Sequence, residues 1–252
     1  MALLTHIDGT FDVERLVAAF ETVVRSSKTL RLTIGAGDRA AIAADVPATT
    51  QIVDLPQSAA RPWADQRVLE PVDASTSVYD SVVIRHDDGT ASWYLCLHHV
   101  ATDATSSALV FQATAQAYHG EPVELADLNP TTPALSKRRQ RAIDFWNERP
   151  NAPLLESLYQ PIATRTTDVT RHRVDGVDLD RIEAALDGSY RMISRDLAWT
   201  SLLMTALSVH LHRVSGADRF AVGLPVHNRS GRDRSNVIGP LMEVYPVDVS
   251  IE

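Results

Sequence analysis

Apolar residues recur along the chain at two different periods, and each change of period marks a predicted element. Helical spacing over residues 13–25 follows Asp12, which is a good N-cap, and predicts an amphipathic helix there. Alternating apolar and polar positions predict strands at 4–9, 30–34, 40–44, 51–55, 79–86 and 91–98. The last two strands are joined by Asp-Asp-Gly-Thr, which is typical of a hairpin turn. Residues 57–70 fit neither period.

The second half of the chain continues with longer helical segments. Helices are predicted over 104–118, 135–148, 178–188 and 196–214, and strands at 168–174, 219–226 and 241–251. Gly216 lies just past the last predicted helix, which is the usual position of a C-terminal glycine. Asp178 and Asp196 are the predicted N-caps of the third and fourth of these helices.

This order of elements mixes antiparallel hairpins with helices and shows no regular βαβ alternation. The pattern therefore favours an α+β fold built in layers over a doubly wound sheet. Residues 149–166 are rich in proline and predict a crossing between two substructures. We divide the chain at this point into residues 1–150, which form a first subdomain, and residues 151–252, which hold the crossing and the start of a second.

The most informative stretch runs from Trp93 to Ser107 and reads WYLCLHHVATDATSS. It begins as a strand and ends as a helix, for which Thr102 or Asp103 is the N-cap. By the strand's alternation, His99 shares a side with Trp93, and His98 faces the other way. One imidazole can then be structural while the other faces a cleft.

Composition narrows the possible functions. The chain has 252 residues, of which 44% are hydrophobic and 22% charged, as is ordinary for a globular protein. A net charge of −8 argues against a nucleic-acid surface over the whole domain. No apolar run has the length of a membrane span, and the N-terminus shows no secretory signal. Because Cys96 is the one cysteine, no intrachain disulfide can form, and we expect a cytoplasmic protein.

The segment HHVATDA at 98–104 resembles the HHxxxDG motif of condensation domains from non-ribosomal peptide synthetases and of the related chloramphenicol-acetyltransferase-like acyltransferases. The flanking segments agree in order along the chain. They are the arginine-containing segment RSSKTLRLTI at 25–34, the hairpin leading into the motif, FWNERP at 145–150, and GLPVHNRSGRDRSNVIGPLMEVYPVDV at 223–249.

The resemblance implies a layered acyltransferase fold of which the N-terminal half and the start of the second half are present. It implies an enzyme that transfers an acyl or peptidyl group from a carrier-protein phosphopantetheine thioester to an amine, with a hydroxyl as the second choice. The expected partners are an acyl or peptidyl carrier protein, a small-molecule acceptor, and the remainder of the fold or neighbouring synthetase domains. No bound cofactor is expected, because the thioester arrives on the partner.

By the same resemblance, His99 accepts a proton from the attacking amine or hydroxyl, or mainly positions it. His98 belongs to the same catalytic motif, and we expect it to be structural. The motif's aspartate, Asp103, pairs in the family with an arginine of the early segment, for which Arg31 is the first candidate and Arg25 the second. Such an aspartate is more architectural than proton-carrying. Ala104 replaces the motif's final glycine and adds a methyl group beside the expected tunnel.

The sequence offers two further candidate binding sites, a basic loop and a metal site at the motif. Asn228, Arg229 and Arg232 lie in a polar, basic loop, which is either a solvated loop or a contact for the phosphopantetheine arm of an acidic carrier. A metal site at the motif is not expected, because histidines that face opposite ways cannot reach one ion and no HExxH or CxxC accompanies them.

Two alternatives to a carrier-dependent enzyme remain open at this level. One is a free-standing acyltransferase of the same fold that uses a coenzyme A thioester. The other is a non-catalytic carrier-binding or scaffolding domain, which the alanine at position 104 favours. The family's opening segment and much of its second half are not matched, so we expect a fragment, an excised piece, or one part of a larger assembly.

Overall fold

The computed structural model describes residues 1–9, 11–37, 39–128, 137–148, 155, 175–176, 178–189, 194–229 and 232–251. The strands are β1 (Ala2–Ile7), β2 (Leu32–Gly35), β3 (Arg39–Ile42), β4 (Gln51–Asp54), β5 (Tyr79–Arg85), β6 (Ala91–Leu97), β7 (Arg219–Val226) and β8 (Glu243–Ser250). The helices are α1 (Val13–Ser26), α2 (Gln57–Arg67), α3 (Ala104–His119), α4 (Lys137–Asn147), α5 (Leu179–Ser189), α6 (Arg195–Ser215) and α7 (Arg232–Ser235). The mixture confirms the predicted α+β class.

A four-stranded sheet in the order β1-β6-β5-β4 carries the motif strand at its centre. The β5–β6 hairpin and the β1–β6 pair are antiparallel, whereas β4 runs parallel to β5. The predicted hairpin at 30–44 forms as a separate two-stranded sheet of β2 and β3. The central position of β6 gives both sides of the motif strand a hydrogen-bonded neighbour and fixes the place where the strand ends.

Alternate residues of β6 enter two different cores. Trp93 and Leu95 pack with α1 and α3 on one face of the sheet, and Tyr94 packs with α2 on the other. Phe20 of α1 fills the first core and meets the rings of Tyr79 and Trp93 edge-on. A strand that is buried on both faces reads as a nearly continuous apolar run, as this one does.

Helix caps follow the predictions closely but not completely. The Asp12 carboxylate accepts the N–H of Arg15 at 2.8 Å and caps α1. Gly216 ends α6 with φ 71°, a conformation that favours glycine. The prediction that Asp196 caps α6 is wrong. The helix already begins at Arg195, and Ser194 caps it by accepting the N–H of Leu197.

Three other segments complete the comparison. Residues 57–70, which showed no clear period, contain α2, and the polar loop after β7 contains the short helix α7. The strand predicted at 168–174 lies outside the described residues. No helix in the described part of the chain combines the length and apolar character needed to cross a membrane.

The chain separates into two compact units. The first consists of Met1–Thr132 together with Val226–Glu243, and the second of Pro133–Pro225 with Val244–Glu252. The predicted division at residue 150 falls outside the described residues and stays a prediction. The return of Val226–Glu243 to the first unit was not predicted, and it brings a distant segment beside the motif. In the second unit, β7 pairs with β8, whose Val244 is 66% exposed.

We predict that Leu95→Ala lowers the free energy of unfolding by about 2–5 kcal/mol, because it removes a fully buried side chain from the central strand. Leu3, the cross-strand partner of Leu95, is exposed on edge strand β1 and provides the matched control. Leu3→Ala should cost less than about 1 kcal/mol in urea unfolding followed by circular dichroism. Equal losses for the two variants would contradict this assignment of the core.

Candidate active site

The two motif histidines lie in a turn between β6 and α3, and the backbone of that turn holds His98 in place. The His98 N–H donates to the carbonyl of Val78 at 2.8 Å, and its carbonyl accepts from the Ala101 N–H and the Thr102 hydroxyl. The ring is fixed as well, because its Nδ1 accepts the N–H of Val100 at 3.1 Å. His98 therefore has a structural place in the turn, as the alternation in the sequence allowed for one of the pair.

His99 is exposed, and its imidazole has no hydrogen-bond partner among the described residues. The predicted alternation holds along β6 but does not extend to His99, because the strand ends at Leu97 and residues 98–101 form a turn. The direction of this imidazole is therefore set by the turn and not by the pleat of the strand. The result is a fixed backbone that carries an accessible ring.

Asp103 caps α3 and is buried, with a side chain only 1% exposed. Its Oδ1 accepts the N–H of Ser106 at 2.9 Å. Its Oδ2 accepts from three donors: Nη1 of Arg229 at 2.7 Å and the backbone N–H groups of Leu241 and Met242, each at 3.0 Å. The carboxylate thus has donors on both oxygens, which makes it a fixed structural acceptor.

These contacts act against each other on the pKa of Asp103. Burial alone would raise the pKa, because it disfavours the charged carboxylate. The Arg229 guanidinium and the hydrogen bonds from Ser106 favour the charged form, and they hold the pKa of Asp103 below its ordinary value. Asp103 is therefore an anion at neutral pH, and its supporting role stays a prediction.

Arg229 connects the motif to the segment that follows β7. Its side chain is 3% exposed, and Nη2 donates to the hydroxyl of Ser106 and to the carbonyl of Gly239, each at 2.9 Å. The Ser106 hydroxyl in turn bonds both the N–H and the carbonyl of Gly239. We call Asp103, Ser106, Arg229 and Gly239 the Asp103 network. The Nε of Arg229 is buried without a partner among the described residues.

The expected pairing of Asp103 with an early arginine is wrong. Arg31 donates through Nη1 to the carbonyl of Ala43 at 2.6 Å and so supports the β2–β3 hairpin. Arg25, the second candidate, bonds Glu21 and Asp45 on the surface. The physical reason is that the carboxylate is already saturated by Arg229 and three backbone groups.

The structure places the remaining predicted residues as follows. Arg229 is buried in the network, so the prediction that it contacts a carrier is wrong, and we assign it to the support of the site. Asn228 is half-buried with φ 50°, and Arg232 begins α7; their predicted contact with a carrier stays a prediction. Ala104 is the exposed first residue of α3, and its φ is negative, so the backbone needs no glycine there.

Two members of the network were not predicted from the sequence. Ser106 lies three residues after Asp103, at the spacing where an N-cap side chain accepts a backbone N–H. This spacing could have predicted the hydrogen bond of the Ser106 N–H, but not those of its hydroxyl. Gly239 carries no side chain and gave no signal. Among the described residues, no group of three histidine, cysteine, aspartate or glutamate side chains is arranged to hold a metal ion.

We predict that Arg229→Met destabilises the protein by about 3–5 kcal/mol, because it leaves the buried Asp103 carboxylate without its counter-ion. Arg234→Met is the matched control, since Arg234 is exposed five residues further along the same segment. It should change the urea unfolding free energy by less than about 0.5 kcal/mol. If both variants lose the same stability, Arg229 is not the partner on which Asp103 depends.

The lowered pKa of Asp103 predicts an acid-dependent loss of stability. Because the folded pKa lies below the unfolded value of about 3.9, the unfolded state takes up the proton first. The contribution of Asp103 is therefore complete above that value and is lost as pH falls below it. Urea unfolding between neutral and acid pH should show a shallower acid loss in Asp103→Asn than in the wild type. Identical pH profiles would mean that Asp103 adds nothing to this loss.

Comparison with known proteins identifies the family of this chain. The family model "Condensation domain" matches residues 1–252. An isonitrile lipopeptide synthase from Streptomyces coeruleorubidus is 28% identical over 98% of this chain, and surfactin synthase subunit 1 from Bacillus subtilis (strain 168) is 22% identical over 95% of it. The chain spans 18% and 7% of the lengths of these two relatives.

Solved structures show the same fold. The condensation domain of monacolin K polyketide synthase superposes with a TM-score of 0.73 at 16% identity, and the match covers 99% of this chain and 62% of that one. The first condensation domain of the calcium-dependent antibiotic synthetase gives 0.69 at 21% identity, covering 100% and 63%. A starter condensation domain of rhizomide synthetase, in complex with C8-CoA, gives 0.74 at 19% identity, covering 100% and 61%. The predicted chloramphenicol-acetyltransferase-like fold is thereby confirmed, and the chain belongs to the condensation domain family.

Proposed function

We propose that this chain carries the motif half of a condensation-type acyltransferase. It transfers an acyl or peptidyl group from the phosphopantetheine thioester of a carrier protein to an amine acceptor, in the assembly of a natural product. The observation that supports this most directly is the exposed His99 imidazole on a turn held from both sides, by His98 and by the Asp103 network. The proposal includes a cytoplasmic setting, in line with the single cysteine.

In the proposed reaction the acceptor nitrogen attacks the thioester carbonyl and forms a tetrahedral intermediate. His99 accepts the proton that the nitrogen loses, or holds the amine in the position of attack. The carbon–sulfur bond then breaks, and the pantetheine sulfur leaves as a thiolate that takes up a proton. The products are an amide and a free carrier thiol, so the atoms and electrons balance without a further reactant.

The geometry suits this role because the imidazole is accessible while its backbone is fixed. A general base has to lie within hydrogen-bond reach of the proton it removes, and a group whose backbone moves loses that geometry. The turn at residues 98–101 is held by backbone hydrogen bonds at its start and by Asp103 at its end. Asp103 supports this arrangement without contacting the reacting atoms.

A second candidate is the transfer of an acyl group from a soluble coenzyme A thioester by the same residues. One observation favours it, because the rhizomide synthetase domain, which shares the fold, was solved in complex with C8-CoA. The two donors present the same pantetheine thioester and differ in whether a carrier protein is attached. A comparison of rates with carrier-bound and free donors separates them.

We predict that His99→Ala lowers the rate of acyl transfer by about 10²–10⁴-fold, the usual contribution of a general base. Intact mass spectrometry of a loaded carrier protein, incubated with the full chain and an amine, measures the transfer. His119→Ala is the matched control, because His119 is an exposed histidine at the end of α3. Carrier binding should survive in both variants.

Two results would contradict the proposal. If His99→Ala and His119→Ala transfer at the wild-type rate, His99 is not the reacting base. If the wild type binds the loaded carrier but gives no product, the chain is a carrier-binding or scaffolding domain. Asn228→Ala and Arg232→Ala, tested in the same binding assay, show whether the loop after β7 contributes to carrier recognition.

A further inference from the structure

An aliphatic cavity of about 550 Å³ lies in the first unit beside the motif turn. Its apolar wall is formed by residues from five separate segments. They are Leu32 of β2, Ile42 of β3, Val100 of the motif turn, and Leu128 and Pro240 from the later loops. We call this space the aliphatic cavity. Its volume falls within the range of small-molecule sites, roughly 300–1,000 Å³.

The aliphatic side chains of this wall are unusually exposed. Ile42 is 51% exposed, and Val100 and Leu128 are each 41% exposed. Single exposed apolar residues are ordinary, but several that converge on one concave space indicate that something apolar covers them. The cavity therefore has the properties of a site that is filled by a ligand.

The charges at the cavity cancel each other. Nζ of Lys28 lies 2.6 Å from Oδ2 of Asp127, so the cation and the carboxylate form an ion pair. Among the described lining residues, Thr29 is the one other polar side chain. A charged or strongly polar occupant finds no unpaired charge of opposite sign here, whereas a hydrocarbon chain meets carbon on most sides.

The position of the cavity ties it to the chemistry. Val100 follows His99 directly, so their Cα atoms are about 3.8 Å apart. Leu128, another lining residue, packs over Gly239, where an added Cβ would lie 3.5 Å from its Cδ2. Gly239 belongs to the Asp103 network, so Val100 and Leu128 both adjoin residues that hold the turn.

We propose that the aliphatic cavity binds the hydrocarbon chain of the acyl donor and selects donors by chain length. This inference rests on the proposed function, since the acyl carbonyl has to lie at His99 while its chain extends into the cavity. We assign the cavity to the donor and not to the acceptor because of its volume. The volume is in the range of whole small-molecule ligands and exceeds that of a single amino-acid side chain. Leu32, Ile42 and Leu128 are then the residues that determine specificity.

We predict that kcat/KM for the full chain rises through the series acetyl, butyryl, hexanoyl and octanoyl donors. Each buried methylene should add about fourfold, until the cavity is full. Ile42→Trp occupies part of the space and should lower the ratio of octanoyl to acetyl kcat/KM by roughly tenfold or more. Leu128→Ala, which removes wall contacts without adding bulk, should also lower the ratio.

Ile52→Trp is the matched control, because Ile52 is an exposed isoleucine of a different short strand, β4, away from the cavity. It should leave the ratio of the two donors unchanged. A flat series in the wild type, or the same ratio in Ile42→Trp and the wild type, overturns the inference and leaves the proposed function intact. If Ile42→Trp instead changes the preference between glycine amide and leucine amide acceptors, the cavity is an acceptor site and the donor assignment is wrong.

A binding measurement separates failure of the cavity from failure of the proposed function. Calorimetry with ethyl and octyl pantetheine thioethers, which cannot transfer an acyl group, requires no turnover. Tighter binding of the octyl compound to the wild type, lost in Ile42→Trp and kept in Ile52→Trp, supports the cavity even if no acyl transfer is found. Equal binding of the two compounds to the wild type overturns it.

Discussion

The shape of the motif turn depends on one buried carboxylate. Asp103 ends the turn, caps α3 and receives Arg229 together with two backbone N–H groups from residues 241 and 242. Removing a carboxylate from water costs several kcal/mol, and this cost is offset only where donors surround both oxygens, as they do here. The same contacts fasten the segment after β7 to the motif across more than 120 positions of the chain. The folded shape of the motif therefore depends on contacts from both segments.

Under the proposed function, this arrangement separates the supporting residues from the reacting residue within six positions of the chain. The ring of His98 and the carboxylate of Asp103 are both held by hydrogen bonds to nearby backbone groups, and each is structural. His99, between them, keeps a fixed backbone and an accessible imidazole. Such preorganisation matters because a reacting group that must first be ordered loses part of its effect on the rate. The lowered pKa of Asp103 adds to this separation, since a permanent anion supports the turn at every pH near neutrality.

Local features of the fold were predictable from the sequence, and long-range pairs were not. The spacing of Leu16, Phe20 and Val23, with Asp12 before them, predicted α1, and the Asp-Asp-Gly-Thr turn predicted the β5–β6 hairpin. Both depend on residues that are close in the sequence. The partner of Asp103 is 126 positions away, and the chain offers many arginines of similar local context, so the resemblance pointed to Arg31 instead. The alternation could not be carried to His99 for another reason: the strand ends at Leu97, and a period of two does not describe the turn that follows.

If the aliphatic cavity binds the acyl chain as proposed, the Asp103 network connects substrate recognition to the position of the imidazole. Gly239 bonds Ser106 on one side and lies under Leu128, a wall of the aliphatic cavity, on the other. Val100 donates its N–H to the ring of His98 while its side chain lines the same cavity. An acyl chain that fills the cavity therefore contacts residues that hold the turn. Its binding energy then helps to position the acyl carbonyl relative to the imidazole. Binding energy from a remote, unreactive part of a substrate raises the rate of the chemical step only through such positioning. The length of the acyl chain should therefore affect kcat as well as KM, because the residues that line the cavity also contact the residues that hold the motif turn.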